Sequence, residues 1–232
     1  MSSRRERVRQ AAIEEIKSIA WKIINEQGIT EVTVHAIAKQ MGMTPPAFYS
    51  YFKSREALMK SLVLDAYESF QSALESARDS LPEEKMAKQI LAIYIAYREW
   101  AITHPALFGL FAGREVPGFN PPEEDIVKKS DTMVAIFFEV YQKASKAGLL
   151  TTPDKRPPLP ESYRTQISKL KQQLKIEIAE EVINSMIHIA FLVHGIISME
   201  ISGRYQHMLN DFSQLYVYQV SNELKKIGLD PD

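Results

Sequence analysis

Residues 33–52, TVHAIAKQMGMTPPAFYSYF, read as two short helices joined by a tight turn. Thr33 is a good N-cap, and Val34, Ile37, Ala38 and Met41 follow it as one apolar stripe. The first helix is expected to stop at Gly42, where glycine takes the left-handed conformation without a Cβ penalty, and Met43 can then fold back on the core. Thr44 stands where it can cap a second helix, whose first two positions, Pro45 and Pro46, need no amide donor. This second helix turns Phe48 and Phe52 inward and leaves Thr44, Pro45, Ala47, Tyr49, Ser50 and Tyr51 outward. It is too short to be stable alone, so its underside has to be anchored. The outward face is small and hydroxyl-bearing, which suits a DNA major groove roughly 12 Å wide: hydroxyls can reach phosphates while small side chains let the helix approach base edges. An ordinary helical hairpin inside a core is the competing reading of the same pattern.

Upstream, Ala12, Ile16, Ile19, Ala20, Ile23 and Ile24 recur at helical spacing, and the helix they imply closes at Gly28 and packs on the two that follow. Arg4, Arg5, Arg7 and Arg9 read as a basic arm ahead of that helix, either merely solvated or set beside phosphates. Downstream, Ser54 offers a cap for a long helix through Leu58, Leu62, Ala66, Phe70, Leu74 and Ala77, with no Pro or Gly to interrupt it.

The run from Ile16 to Leu62, an apolar helix ending at Gly28 and then TV, IA, G, FY, YF and SREAL, resembles the DNA-binding domain of the TetR family of bacterial transcriptional regulators. The resemblance implies an all-α chain. A three-helix helix-turn-helix domain would occupy residues 1–54, and a larger helical effector-binding and dimerisation domain would occupy 55–232, with helix 55–79 linking them. Carried over position by position, the resemblance implies phosphate or sugar contacts at Thr33, Thr44, Tyr49, Tyr51, Lys53 and Arg55, and base contacts at His35, Pro45, Ala47 and Tyr51. Ser50 joins this set through its place on the outward face. Arg55 stands where the family usually has lysine, which keeps the charge but changes its geometry.

Composition is consistent with this and excludes several classes. The chain of 232 residues can bury a sizeable core, and with no cysteine it has no disulfide, thiol nucleophile or cysteine-type zinc site. No apolar segment follows the basic start MSSRRERVR, so a secretory signal is not expected and the cytoplasm is the default. The net charge of −1 conceals an asymmetry, since residues 1–60 carry ten Lys and Arg against six Asp and Glu. The basic excess lies with the expected DNA reader. Searched for catalytic signatures, the chain shows no GxGxxG, GxxxxGK[ST], HExxH or GxSxG, and its five histidines are scattered. His188 and His194 stand about 240° apart around a helix and share no face. No cofactor, metal site or catalytic residue is expected.

The remainder reads as further helices. One begins at Pro82-Glu-Glu and runs to about His104, with Ile90, Ile93, Tyr94, Tyr97 and Trp100 inside. A short one carries Leu107, Phe108, Leu110 and Phe111, a Gly- and Pro-rich loop spans 113–122, and another helix runs from Ile126 to Lys146. Residues 151–161 hold four prolines and read as an exposed linker with poor order. From Ser162 the chain is helical again, first polar and then apolar from Val182 to Ile201; the apolar part is long enough to span a membrane but also fits the centre of a soluble bundle, which is the expectation. The last helix spans Asp211 to Ile227. The stretches REWAITHPALFGLFAGREVPG and FLVHGIISMEISG resemble the effector domain of some TetR-type regulators, the WHG type, in which a His-Gly pair sits in the penultimate helix.

From these resemblances follow the expected partners: a homodimer through the last two helices, a small-molecule effector, and double-stranded DNA as a roughly palindromic operator. Trp100, His104, Phe108, Phe111, Phe137, Tyr141, Phe191, His194, Met199 and Glu200 are the expected pocket lining, suited to an apolar or aromatic molecule with one or two hydrogen-bonding groups. The expected activity is ligand-released transcriptional repression. A DNA-binding architectural protein without effector control, and an all-helical small-molecule-binding protein or enzyme, remain open on the sequence.

Overall fold

The structure, a computed structural model, describes residues 3–111, 124–152 and 158–232. Every regular element among them is helical: α1 (Arg4–Gln27), α2 (Val34–Met41), α3 (Pro45–Phe48), α4 (Arg55–Asp79), α5 (Met86–Thr103), α6 (Pro105–Phe111), α7 (Glu124–Lys146), α8 (Glu161–Leu174), α9 (Glu180–Ser202) and α10 (Phe212–Lys225), with a 3-10 turn at Ile29–Glu31. The chain divides into two compact units, one of Met1–Ser69 with His104–Lys129 and one of Phe70–Thr103 with Ser130–Asp232.

The first unit is built on an apolar cluster in which α1 gives Ile16, Ala20, Ile23 and Ile24, α2 gives Ile37, α3 gives Phe48, and α4 gives Leu58, Met59 and Leu62. The local signals act where they were expected. Thr33 Oγ1 accepts from the Ala36 amide at 3.1 Å, and Ser54 Oγ accepts from the Ala57 amide at 3.2 Å. Gly42 is left-handed (φ 64°, ψ 27°), its amide donates to Lys39 and that of Met43 donates to Ala38, so the last carbonyls of α2 are satisfied as the chain reverses.

Three boundaries differ from the sequence expectation. Arg4, Arg5, Arg7 and Arg9 are not an arm ahead of the first helix but its opening turns, because Ser3 and Glu6 form a capping box, each side chain taking the other's amide at 3.2 Å. Thr44 precedes α3 but its side chain makes no capping bond. Pro45 and Pro46 remove two of the amides it could have met, and the next one, at Ala47, donates to the Thr44 carbonyl at 2.9 Å. Finally, α5 begins at Met86 rather than Pro82, since Pro82 to Lys85 close a turn (Lys85 N to Pro82 O, 3.0 Å) and the Gln89 side chain donates to the Leu81 carbonyl at 2.9 Å.

In the second unit α9 packs against α5, α8 and α10. Lys175, left-handed at φ 53°, ends α8, so the polar and apolar stretches after residue 161 are two helices separated by a short link whose Ile176 and Ile178 are buried. By length and composition α9 could cross a membrane (mean hydropathy 1.7), yet Val182, Ile183, Ile189, Val193 and Ile197 are buried inside the unit. Its C-terminal tail closes on the α7–α8 connection: Thr151 N donates to Ile227 O at 2.9 Å, and a Cβ at Gly228 (φ +87°) would stand 2.4 Å from the Leu149 carbonyl. Of the 151–161 linker, residues 153–157 lie outside the described residues, as does the whole of the 113–122 loop.

Candidate nucleic-acid interface and effector cleft

The outward face of the first unit is set by what lies beneath it. Phe48 and Phe52 are buried with rings 5.9 Å apart, which fixes the rotation of α3 and the turn after it. Thr44, Pro45, Tyr49, Ser50 and Lys53 are exposed, as are Thr33 and His35 at the start of α2, while Ala47 is half-buried. Tyr49 shows 54% of its surface to solvent, its ring edge-on to that of Phe48 at 5.6 Å.

Two predicted contact residues lie elsewhere than expected. Tyr51, expected outward, is half-buried against the apolar cluster, because the chain turns at Ser50 and Tyr51 instead of continuing a regular helix. Arg55, expected on phosphate, points inward: Nε donates to the Val32 carbonyl and Nη2 to that of Ile29, at 3.4 Å for the latter. It thereby ties the start of α4 to the turn before α2. A second cation has the same kind of role, which the sequence did not signal. Arg9 Nη2 donates to the Ser50 carbonyl at 3.0 Å, and its guanidinium lies 5.9 Å from the Tyr51 ring centre, so the start of α1 is held beside the end of the reader.

In the second unit, a cleft of about 310 Å³ opens among α4, α5, α7, α8 and α9. Phe70, Leu74, Tyr94, Tyr97 and Met186 form part of it, with Met133, Phe137 and Phe138 from α7 and Leu170 from α8. Among the described residues its lining carries no charged side chain, and the two phenols are its only side-chain polar groups. Burial pushes the Tyr94 phenol up to about 12 and raises that of Tyr141 behind it, so both stay neutral at ordinary pH.

Of the predicted lining whose side chains are described, only Phe137 faces this cleft directly. Three others stand one layer behind: Trp100 stacks on Phe70 at 4.6 Å, Tyr141 Oη lies 3.4 Å from Tyr94 Oη, and His194 Nδ1 shares a hydrogen bond with the Tyr97 hydroxyl at 2.6 Å. The rest do not gather there. His104 lines a separate hollow of the first unit with Trp21, Asn25 and Asp65, and Phe108 is buried in that unit. Phe191 and Met199 project from the outer side of α9, exposed by 75% and 48%. Glu200 is engaged by Arg98 through two charge-assisted hydrogen bonds, at 2.8 and 2.5 Å. The side chain of Phe111 lies outside the described residues. The sequence did mark Tyr94, Tyr97 and Phe137 as inward, but had no signal for Phe70 or Phe138 as cleft walls.

Comparison with known proteins agrees with this arrangement. Residues 16–62 match the family described as bacterial regulatory proteins, tetR family, and residues 90–222 match that described as tetracyclin repressor-like, C-terminal domain. The chain is similar to the HTH-type transcriptional regulator Rv1816 of Mycobacterium tuberculosis, 29% identical over 187 residues, covering 80% of this chain and 79% of that one. It is also similar to the HTH-type transcriptional regulator EthR of Mycolicibacterium smegmatis, 30% identical over 42% of this chain and 43% of that one. The crystal structure of the regulatory protein SCO4313 superposes with a TM-score of 0.77 at 26% identity, over 96% of this chain and all (100%) of that one. A tetR-family regulatory protein from Rhodococcus RHA1 shares the fold, with a TM-score of 0.61 at 17% identity over 94% of this chain and 97% of that one. Two family matches that together run from the first helix to the last, on a fold that presents a helix-turn-helix over an anchored underside, lead to one conclusion: the chain belongs to the TetR family and is an all-helical, helix-turn-helix transcriptional regulator, not an enzyme.

Proposed function

We propose that the protein is a cytoplasmic repressor that binds a palindromic operator as a homodimer and leaves it when an uncharged, apolar or aromatic molecule occupies the cleft among α4, α5, α7, α8 and α9. The observation that carries this reading is the exposed Thr44, Pro45 and Tyr49 surface over buried Phe48 and Phe52 in a chain of the TetR family. Thr33, His35, Thr44, Pro45, Ala47, Tyr49, Ser50 and Lys53 are the proposed direct contacts, with Arg9 and Arg55 as positioning residues. The division of labour proposed for the chain is reading by residues 1–54 and effector binding and dimerisation by 55–232.

The lining supports the effector class. A cleft of about 310 Å³ without a charged side chain would leave an ionised ligand desolvated and unpaired, whereas a neutral ring system buries its surface there at little polar cost. The His194-Gly195 pair in the penultimate helix supports assignment of the second domain to the WHG type. Homodimerisation through α9 and α10 is supported by the large apolar side chains these helices leave exposed, Phe191, Met199 and Tyr218. An effector shifts the equilibrium between DNA-bound and released dimers only by its different affinity for the two. The test is selection of duplexes from a random pool, followed by a screen of neutral aromatic and aliphatic molecules for release. Recovery of an inverted repeat that such a molecule releases supports the reading; a duplex retained equally with every molecule at saturation contradicts effector control.

A further inference from the structure

The reading surface is notable for what its chemistry offers a base. From Thr44 to Ser50 the chain reads TPPAFYS, with no Arg, Lys, Asn or Gln. Those are the side chains that grip guanine or adenine edges with paired hydrogen bonds in the major groove. What α3 and its entry expose instead is a threonine methyl, two proline rings and part of an alanine methyl, at Thr44, Pro45, Pro46 and Ala47. Only one base presents an apolar group in that groove: thymine, through its C5 methyl.

A second feature of the same unit points the same way. Arg9 is fastened to the Ser50 carbonyl at 3.0 Å, so the start of α1, with exposed Arg4, Arg5 and Arg7, is held next to the reader. Arginines are drawn to narrow minor grooves, and runs of A·T pairs have the narrowest.

Resting on the reading of this surface as the DNA interface, we infer that each operator half-site is rich in A·T pairs and is recognised in the major groove through thymine methyl groups packed on Thr44, Pro45, Pro46 and Ala47. Specificity comes from shape and methyl contact, and the arginines of α1 reinforce it from the adjacent minor groove.

Deoxyuridine provides the test, because it removes the methyl and leaves both pairing and the A·T minor groove in place. With the full chain, a duplex is selected from a random pool and its thymines are replaced one at a time by deoxyuridine. The inference expects enriched A·T pairs, with about fourfold weaker binding for each methyl lost under α3. In Thr44→Ser, which keeps the hydroxyl and loses only the methyl, the preference for thymine over uracil should shrink at one base pair. Half-sites of G·C pairs weakened by 7-deazaguanine but not by deoxyuridine would overturn the inference while leaving DNA binding intact. A·T half-sites indifferent to deoxyuridine would overturn the methyl contact. Failure to enrich any duplex would overturn the DNA-reading conclusion and this inference with it.

Discussion

Phe48 and Tyr49 are neighbours in the chain with opposite roles. Phe48 is fully buried and Tyr49 is half exposed, so the two substitutions should separate folding from binding. Phe48→Ala is expected to lower stability by about 3–5 kcal/mol, as large-to-small changes in packed cores do, and chemical denaturation measures it. Tyr49→Ala should leave the unfolding midpoint within about 0.5 kcal/mol of wild type while weakening every duplex, specific or not, in an anisotropy titration. His194 carries a prediction about pH. Burial lowers its pKa below the ordinary value of 6.5, so the folded chain binds its proton less readily than the unfolded chain does. Its contribution to stability is therefore present above that value and is lost as pH falls through the unfolded and then the folded pKa. His194→Gln should show a smaller fall in melting temperature between neutral and mildly acidic buffer than wild type; an identical fall would exclude a part for His194. Much at this scale was beyond the sequence. The destinations of Arg9 and Arg55 are carbonyls 41 and 23 residues away, and no local pattern marks a side chain that reaches so far along the chain.

Helix boundaries were the most legible feature because their causes are local. Thr33, Gly42, Pro45-Pro46 and Ser54 each act within a few residues, so α2, α3 and α4 begin and end near where their punctuation places them. Thr33→Ala should cost about 1 kcal/mol by leaving the Ala36 amide without its cap, and Gly42→Ala about 1–2 kcal/mol because a Cβ is disfavoured at φ 64°. Urea titration of both variants checks the pair. The cleft was less legible, since an apolar stripe says that a helix is buried but not which neighbour it meets. His104 and Phe108 belong to the first unit, although they are close in sequence to Trp100 in the second. In α9 the apolar residues run all round the helix, so Phe191 and Met199 could not be told from Val193 and Ile197 by spacing.

At the scale of the whole molecule, the proposed binding to a palindromic operator requires two readers. Tyr218 on α10, 64% exposed, and Phe191 on α9, 75% exposed, are large apolar surfaces for a soluble helix pair to leave in water. The combined Phe191→Glu and Tyr218→Glu variant should dissociate the proposed dimer, with a loss of about 2 kcal/mol or more per buried anchor, and sedimentation velocity distinguishes monomer from dimer. A variant that stays dimeric would move the interface away from α9 and α10. The surface anchored by Phe48 and Phe52 is proposed as the place where duplex DNA binds. Its most direct test is the salt dependence of operator affinity for wild type against Tyr49→Ala/Lys53→Ala. Weaker binding by the variant is expected at every salt concentration, with a logarithmic slope flatter by about 0.9 for each phosphate contact removed. Equal affinity and an equal slope, with the variant still folded, would contradict it.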